Sequence, residues 1–325
     1  MSTADEDRRL TRRTFLRRST IFTAAAVTGI AAPFARGAPR FSARQEETYI
    51  DFQVHLGQKW ADRPAMTPDH LLRWMDEHGI SHAVVHPLVN PEARVVPLTT
   101  GWVLEQIRPH GDRLIPFCVI DPRHPSLDGV RPKVDLIERY VEAGARGFGE
   151  HKIGLPVDDP RNLELYQACA ELELPILIHM DGYRNTDRPG LPGLENALQQ
   201  VPDATFVGHA QGWWASISGD VTEEDMYGYP DGPVAPGGAL DRLFDAYPNL
   251  YGDLSAGSGA NAIERDREFG REFVIRWADR LLFATDYLAP EQEVPQFELY
   301  RSLDLPKRVE AKVYRENARK LLGLD

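Results

Sequence analysis

Five side chains able to bind a cation or move a proton end short apolar runs. They are His55 in YIDFQVHLG, Glu150 in GFGEHK, His179 in LPILIHMDG, His209 in TFVGHAQG and Asp286 in LLFATDY. A histidine or carboxylate at the end of a buried strand is costly unless it is paired or bound to a cation. Taken singly, such a histidine is ordinarily a hydrogen-bonded core residue, and such an aspartate a turn or cap. Five together point to a shared divalent ion. Nitrogen and carboxylate ligands suit zinc, manganese, iron or cobalt and do not choose among them. Gln53 stands two residues before His55, and strand side chains alternate, so both face the same way. Its amide oxygen is a weaker ligand than an imidazole nitrogen. Lys152 shares the face of Glu150, whereas His151 faces the other side and reads as structural. Asp51 reads as a hydrogen-bonded brace for the first-strand turn.

These residues meet only if the runs are strands whose corresponding ends converge. Strand-like segments fall at 49–55, 81–88, 113–120, 145–152, 175–180, 204–209, 250–255 and 281–285. Between them lie amphipathic stretches at 69–77, 131–143, 162–173, 191–200, 238–247 and 260–278, followed by 291–301, 308–311 and 314–322. Thr67-Pro68 and Asp159-Pro160 each offer a cap residue followed by proline at the first helical position. Eight strands, most followed by a helix, predict a (β/α)8 barrel, an α/β TIM barrel over residues 44–325. The competing architecture is a doubly wound open sheet, but no Gly-x-Gly-x-x-Gly opens a helix. In a barrel the catalytic groups come from the C-terminal ends of the strands, where these five residues stand.

One connection, 210–237, is long and rich in glycine, proline and aromatics, as expected of a lid or an insert. It begins with Trp213 and Trp214, which can stack on a ring, a sugar or an acyl chain, or else pack the lid onto the barrel. Arg184 follows the fifth strand and can bind a substrate carboxylate. Tyr183 and Gln211 also follow strand ends, and DLSAGSG (253–259) supplies a small-residue loop for the pocket floor.

Residues 1–43 differ from the rest. Eight arginines stand against three acids, TRRTFLR carries a twin-arginine pattern, and an apolar run follows from Ile21 to Ala32. This is the layout of a twin-arginine export signal, with the periplasm or the exterior as destination, and the run is short for a membrane span. That route carries folded proteins, which suits one loaded with metal before export. Removing this segment from totals of 37 basic and 49 acidic residues leaves 29 against 46, a formal net charge of −17. So acidic a chain argues against nucleic acid or an anionic membrane as partner. A small-molecule substrate is expected, with the export machinery engaging the signal; a homo-oligomer is compatible with the sequence. Cys118 and Cys169 lie inside an apolar strand and a helix and read as buried small hydrophobes.

The segments IDFQVHLG, GFGEHKIGLPVDDPRN, LPILIHMDG, TFVGHAQGWWA, LYGDLSAGSG, LLFATDY and YRENARKLLGL occur in an order and spacing that resemble the amidohydrolase-related (type 2) branch of the metal-dependent amidohydrolase superfamily, over residues 48–325. The resemblance implies one or two divalent ions, zinc first. Its ligands would be His55, Glu150, His179, His209 and Asp286, with Gln53 where the family has a histidine. Lys152 is the rival fourth-strand ligand, since some relatives carry a carbamylated lysine there. The resemblance also assigns proton transfer to Asp286, and to His209 either a ligand role or the developing oxyanion. The expected function is metal-dependent hydrolysis of a small-molecule ester, lactone or amide. Nonoxidative decarboxylation, also known in this branch, and metal-free binding on the same fold are the alternatives.

Overall fold

The computed structural model describes residues 49–59, 62–94 and 96–324; the segment 1–43, expected to be an export signal, lies outside the described residues. Eight strands form in chain order: β1 Tyr49–Val54, β2 Ile80–Val85, β3 Leu114–Pro116, β4 Phe148–His151, β5 Pro175–His179, β6 Thr205–His209, β7 Leu250–Asp253 and β8 Leu281–Leu282. Each of the eight overlaps its sequence-based expectation. Every neighbouring pair is parallel. The two ladders, β1-β2-β3 and β4 through β8, are joined by a parallel bridge between Cys118 and Phe148 and another between Val54 and Tyr287. Together these close a (β/α)8 barrel.

The helices begin where the caps said they would. Thr67 Oγ1 accepts from His70 N at 3.2 Å ahead of Pro68–His78, and Asp159 caps Pro160–Glu171. Two expectations need correction. The stretch 260–278 is two helices, Ala256–Glu264 and Arg267–Arg276, because Asp266 turns out to cap Phe269 N at 3.2 Å and so starts a second helix. Thr100–Ile107, which the sequence reading left out, is a helix capped by Thr99. Among the described residues no helix is long and apolar enough to cross a membrane.

Side-chain alternation sorts the core into an inner and an outer layer. Phe52, Val84, Phe117, Leu177, Val207, Tyr251 and Ala284 pack inside the barrel, while Ile176, Ile178, Phe206, Leu250, Leu281 and Phe283 face the helices. One period further along the strands, the inner face turns polar with His86, His179, His209, Asp253 and Asp286, all buried. On β1 the ladder to β2 shifts register between Asp51 and Val54, which lets Gln53 and His55 join that inner face above Phe52. The polar ring therefore sits on a closed apolar floor, where unpaired charge is expensive. Both cysteines are free and buried, as expected of small core residues.

Candidate metal centre and active site

Five strand ends bring the expected ligands together. Ligand atoms of Glu150, His179 and His209 lie within 4.8 Å of one another, and all three residues are buried. His179 Nδ1 is 2.5 Å from Glu150 Oε1, and His209 Nε2 is 3.5 Å from the same oxygen. His55 Nε2 stands 3.4 Å from Glu150 Oε2 and 3.3 Å from Asp286 Oδ1. His55 Nε2 and Glu150 Oε2 are nevertheless buried atoms with no hydrogen-bond partner among the described residues. Leaving such atoms unsatisfied costs about 1–3 kcal/mol each. Two orphaned ligand atoms facing one point, inside a set of imidazoles and carboxylates, fit a divalent cation.

The electrostatics are consistent with that fit. Burial alone would raise the Glu150 carboxyl, but the Lys152 ammonium and the His179 and His55 imidazoles hold it well below the usual carboxylate range. Asp286 is likewise pushed up by burial and more than pulled back by Lys59 and His55, so it is ionised. His55 and His209 are raised in spite of burial, His55 by Asp286 and Glu150 and His209 by Asp253. Lys152 Nζ donates to Glu150 Oε1 at 3.1 Å, so on the fourth strand the carboxylate faces the histidines and the lysine pairs with it. His151 turns away to Asn162, as its face of the strand requires. Asp51 braces β1 to β8, accepting from Thr285 N at 3.0 Å, Thr285 Oγ at 2.6 Å and Gln53 N at 3.2 Å. Burial pushes its carboxyl up to about 7.

Gln53 belongs to the ring. Its Nε2 lies 3.4 Å from Asp286 Oδ1 and 3.4 Å from His209 Nε2, while Ser255 Oγ lies 3.2 Å from its Oε1. The amide thus turns its donor to the centre. The sequence reading missed Asp253, whose Oδ1 holds His209 Nδ1 at 3.1 Å and takes the Ser255 hydroxyl at 2.5 Å. It also missed His86, whose carbonyl lies 2.8 Å from His55 Nδ1. Both lie two positions past an inner apolar residue, Tyr251 and Val84, and that spacing was the available signal. Lys59 was missed as well. Burial lowers its ammonium, and Lys152, Asp286, Glu150 and Arg184 are its charged neighbours.

The residues expected at the substrate divide differently. Trp213 and Trp214 are fully buried, among Phe244 and Phe273, and do not line the mouth. The indole of Trp213 lies where a side chain on residue 208 would be, 2.3 Å from an added Cβ, so the glycine in VGH admits it. Trp214 Nε1 donates to Asp253 O at 2.9 Å. Arg184 pairs with Asp181 at 2.7 Å and donates to Glu92 O at 2.9 Å, and Asp181 in turn contacts His179 Nε2 at 2.9 Å. The aromatics of the long connection that stay exposed are Tyr227 and Tyr229, with Tyr183 packed edge-on against Tyr227. Burial and the charge of Asp286 raise the Tyr229 hydroxyl above its ordinary value. Its hydroxyl lies over Gly257, 3.0 Å from an added Cβ.

A closed parallel barrel carrying imidazoles and carboxylates at the C-terminal ends of its strands defines a class of metal-binding barrel enzymes. The Amidohydro_2 family model, described as amidohydrolase, matches residues 50–324, and the chain belongs to that family. Members of the family are enzymes, hydrolases or decarboxylases. No curated protein sequence matches. Among solved structures, an uncharacterised TIM-barrel protein from Bordetella bronchiseptica is similar at 17% identity over 79% of this chain and 83% of its own, with a TM-score of 0.57. A probable 2-pyrone-4,6-dicarboxylic acid hydrolase from Acinetobacter baumannii is similar at 14% identity over 85% and 99%, with a TM-score of 0.56. A 2,6-dihydroxybenzoate decarboxylase from Rhizobium is similar at 16% identity over 86% and 99%, with a TM-score of 0.54. At these identities the likeness is one of fold.

Proposed function

We propose that this protein is a metal-dependent hydrolase that opens an ester, lactone or amide bond of a small molecule carrying a carboxylate. The observation that carries the reading is the orphaned pair, His55 Nε2 and Glu150 Oε2, buried beside Asp286. His55, Glu150, His179, His209 and Asp286 would hold the ion, with zinc the first candidate. When bound, a divalent ion supplies Lewis acidity toward the scissile carbonyl. Asp286, ionised and flanked by His55 and Gln53, takes a proton from the attacking water and passes it to the leaving oxygen or nitrogen. Water adds to the acyl carbon, the bond to the leaving group breaks, and an acid and an alcohol or amine are released. The donor that Gln53 turns inward leaves the first strand with one strong ligand, His55, which favours a single ion.

Cationic side chains near the centre support the carboxylate: Lys152 beside Glu150, and Lys59, whose charge interacts with Asp286 and Glu150, can meet an acid group of the substrate. The twin-arginine pattern of the N-terminal segment supports activity outside the cytoplasm.

A screen of lactones and esters, each with and without an acid group, tests the proposal, run beside elemental analysis. Turnover is expected to favour the acids, and Asp286→Asn to lower kcat by about 10²–10⁴-fold. Carbon dioxide released without consumption of water would mark a decarboxylase instead. A metal-free chain whose ligand binding survives Asp286→Asn would mark a binding protein.

A further inference from the structure

The ladder between β4 and β5 is irregular where the metal ligands stand. Phe148 pairs with Ile176 and His151 with Ile178, and the register shifts in between, across Glu150. Backbone pairing alone therefore does not fix how far Glu150 sits from His179. A side chain from the next loop does. Asn185, fully buried, donates from Nδ2 to His151 O at 2.7 Å and to His179 O at 3.1 Å. One of these carbonyls belongs to the residue after Glu150, and the other to His179 itself.

The amide is held in turn. Its Oδ1 accepts from Asn162 Nδ2 at 3.3 Å, and Asn162 Nδ2 also donates to Pro156 O at 2.9 Å. Asn162 Oδ1 is 3.0 Å from His151 Nε2, so the second side chain returns to the same strand end. Asn185 N donates to Ile153 O at 2.8 Å, and the loop continues with Thr186 N to Leu155 O at 3.0 Å. Asn185 has φ +40°, in the left-handed region where asparagine and glycine are at home and branched side chains are not. Its two amide hydrogens and its oxygen all have protein partners.

We propose that Asn185 is a positioning residue for the ion site. It clamps the ends of β4 and β5 through the carbonyls of His151 and His179, so that the Glu150 carboxylate and the His179 imidazole are held at ligand spacing before an ion arrives. The proposal rests on the ion-binding reading given above. Groups that orient ligands from behind typically affect metal affinity by about 10–100-fold when removed.

Zinc affinity, measured on the full chain by competition with a chromogenic chelator, separates this from ordinary packing. Asn185→Gly keeps the backbone conformation and removes the clamp, while Asn185→Asp keeps the shape and turns acceptors toward the two carbonyls. Both should weaken zinc binding by about 10-fold or more. Tyr166→Phe is the matched control. It removes the bond from the Tyr166 hydroxyl to Val157 O, 3.0 Å, in the adjoining loop after β4, which pairs with Thr186, without touching either strand-end carbonyl. It should lower Tm and leave zinc affinity within about twofold. Should both Asn185 variants fail to fold, Asn162→Ala, which frees the Asn185 amide, should still weaken zinc by several-fold. Zinc affinity within about twofold of native in whichever of these variants fold overturns the clamp, as does an equal loss in Tyr166→Phe. A native chain that binds none of zinc, manganese, iron or cobalt overturns the ion site, and the clamp with it.

Discussion

The Asp253 carboxylate holds the Nδ1 side of His209 at 3.1 Å, which leaves Nε2 of that ring facing Gln53 and Glu150. A carboxylate behind a histidine fixes its tautomer and raises its strength as a ligand or base. The same oxygen accepts from Ser255 N at 3.0 Å and from the Ser255 hydroxyl. Asp253→Asn keeps the shape and removes the charge. Activity is expected to fall by about 10–100-fold with metal still bound, though more weakly. A variant indistinguishable from native in both affinity and rate would show that Asp253 only closes the barrel.

Gln53 makes the metal content informative. With its donor turned to Asp286 and its oxygen beside Ser255, the native chain is expected to carry one ion. Gln53→His replaces a weak ligand with a strong one and is expected to bind metal more tightly or to take a second equivalent, read by elemental analysis after gentle purification. Metal absent from the native chain yet at full occupancy in Gln53→His would sink the hydrolase reading.

The aromatic residues of the long connection separate into packing and contact. Trp213 fills space over Gly208 beside Phe244, so Trp213→Ala is expected to cost about 3–5 kcal/mol of stability, read from urea denaturation. Tyr229 is half exposed beside Asp286, so Tyr229→Phe should leave stability within about 0.5 kcal/mol and raise KM. If instead Trp213→Ala raised KM at unchanged stability, the assignment of the two would be reversed.

The strand ends were legible because a buried strand that stops on a histidine or carboxylate breaks the apolar alternation at one point. The eight apolar runs together mark the barrel, and the five that stop on such a residue mark the ring. What stayed hidden depends on distance in space. Trp213 and Trp214 look like contact residues on a glycine-rich stretch, and only the fold reveals the hole above Gly208 that receives an indole. Arg184 looks free until Asp181 and Glu92 come beside it. Asn185 is one polar letter in a loop, and its two carbonyl partners lie 34 and 6 residues away. The helix break at Asp266 was hidden because a cap aspartate inside an otherwise periodic stretch has no hydrophobic signature.

Acid should unfold this protein through two histidines. Burial pushes His86 and His151 each down to about 4. In the unfolded chain an imidazole takes up its proton near pH 6.5. Between pH 6.5 and about 4 the unfolded chain therefore binds more protons than the folded one. The stability these neutral rings allow is whole above pH 6.5, declines as the pH falls, and levels off below about 4. The slope is about 1.4 kcal/mol per pH unit for each ring across that window. His151→Gln removes one titrating group while leaving a polar side chain toward Asn162. Urea midpoints followed from pH 7.5 to 4.5 should fall more steeply for the native chain than for this variant. Parallel curves would mean that His151 carries no such penalty.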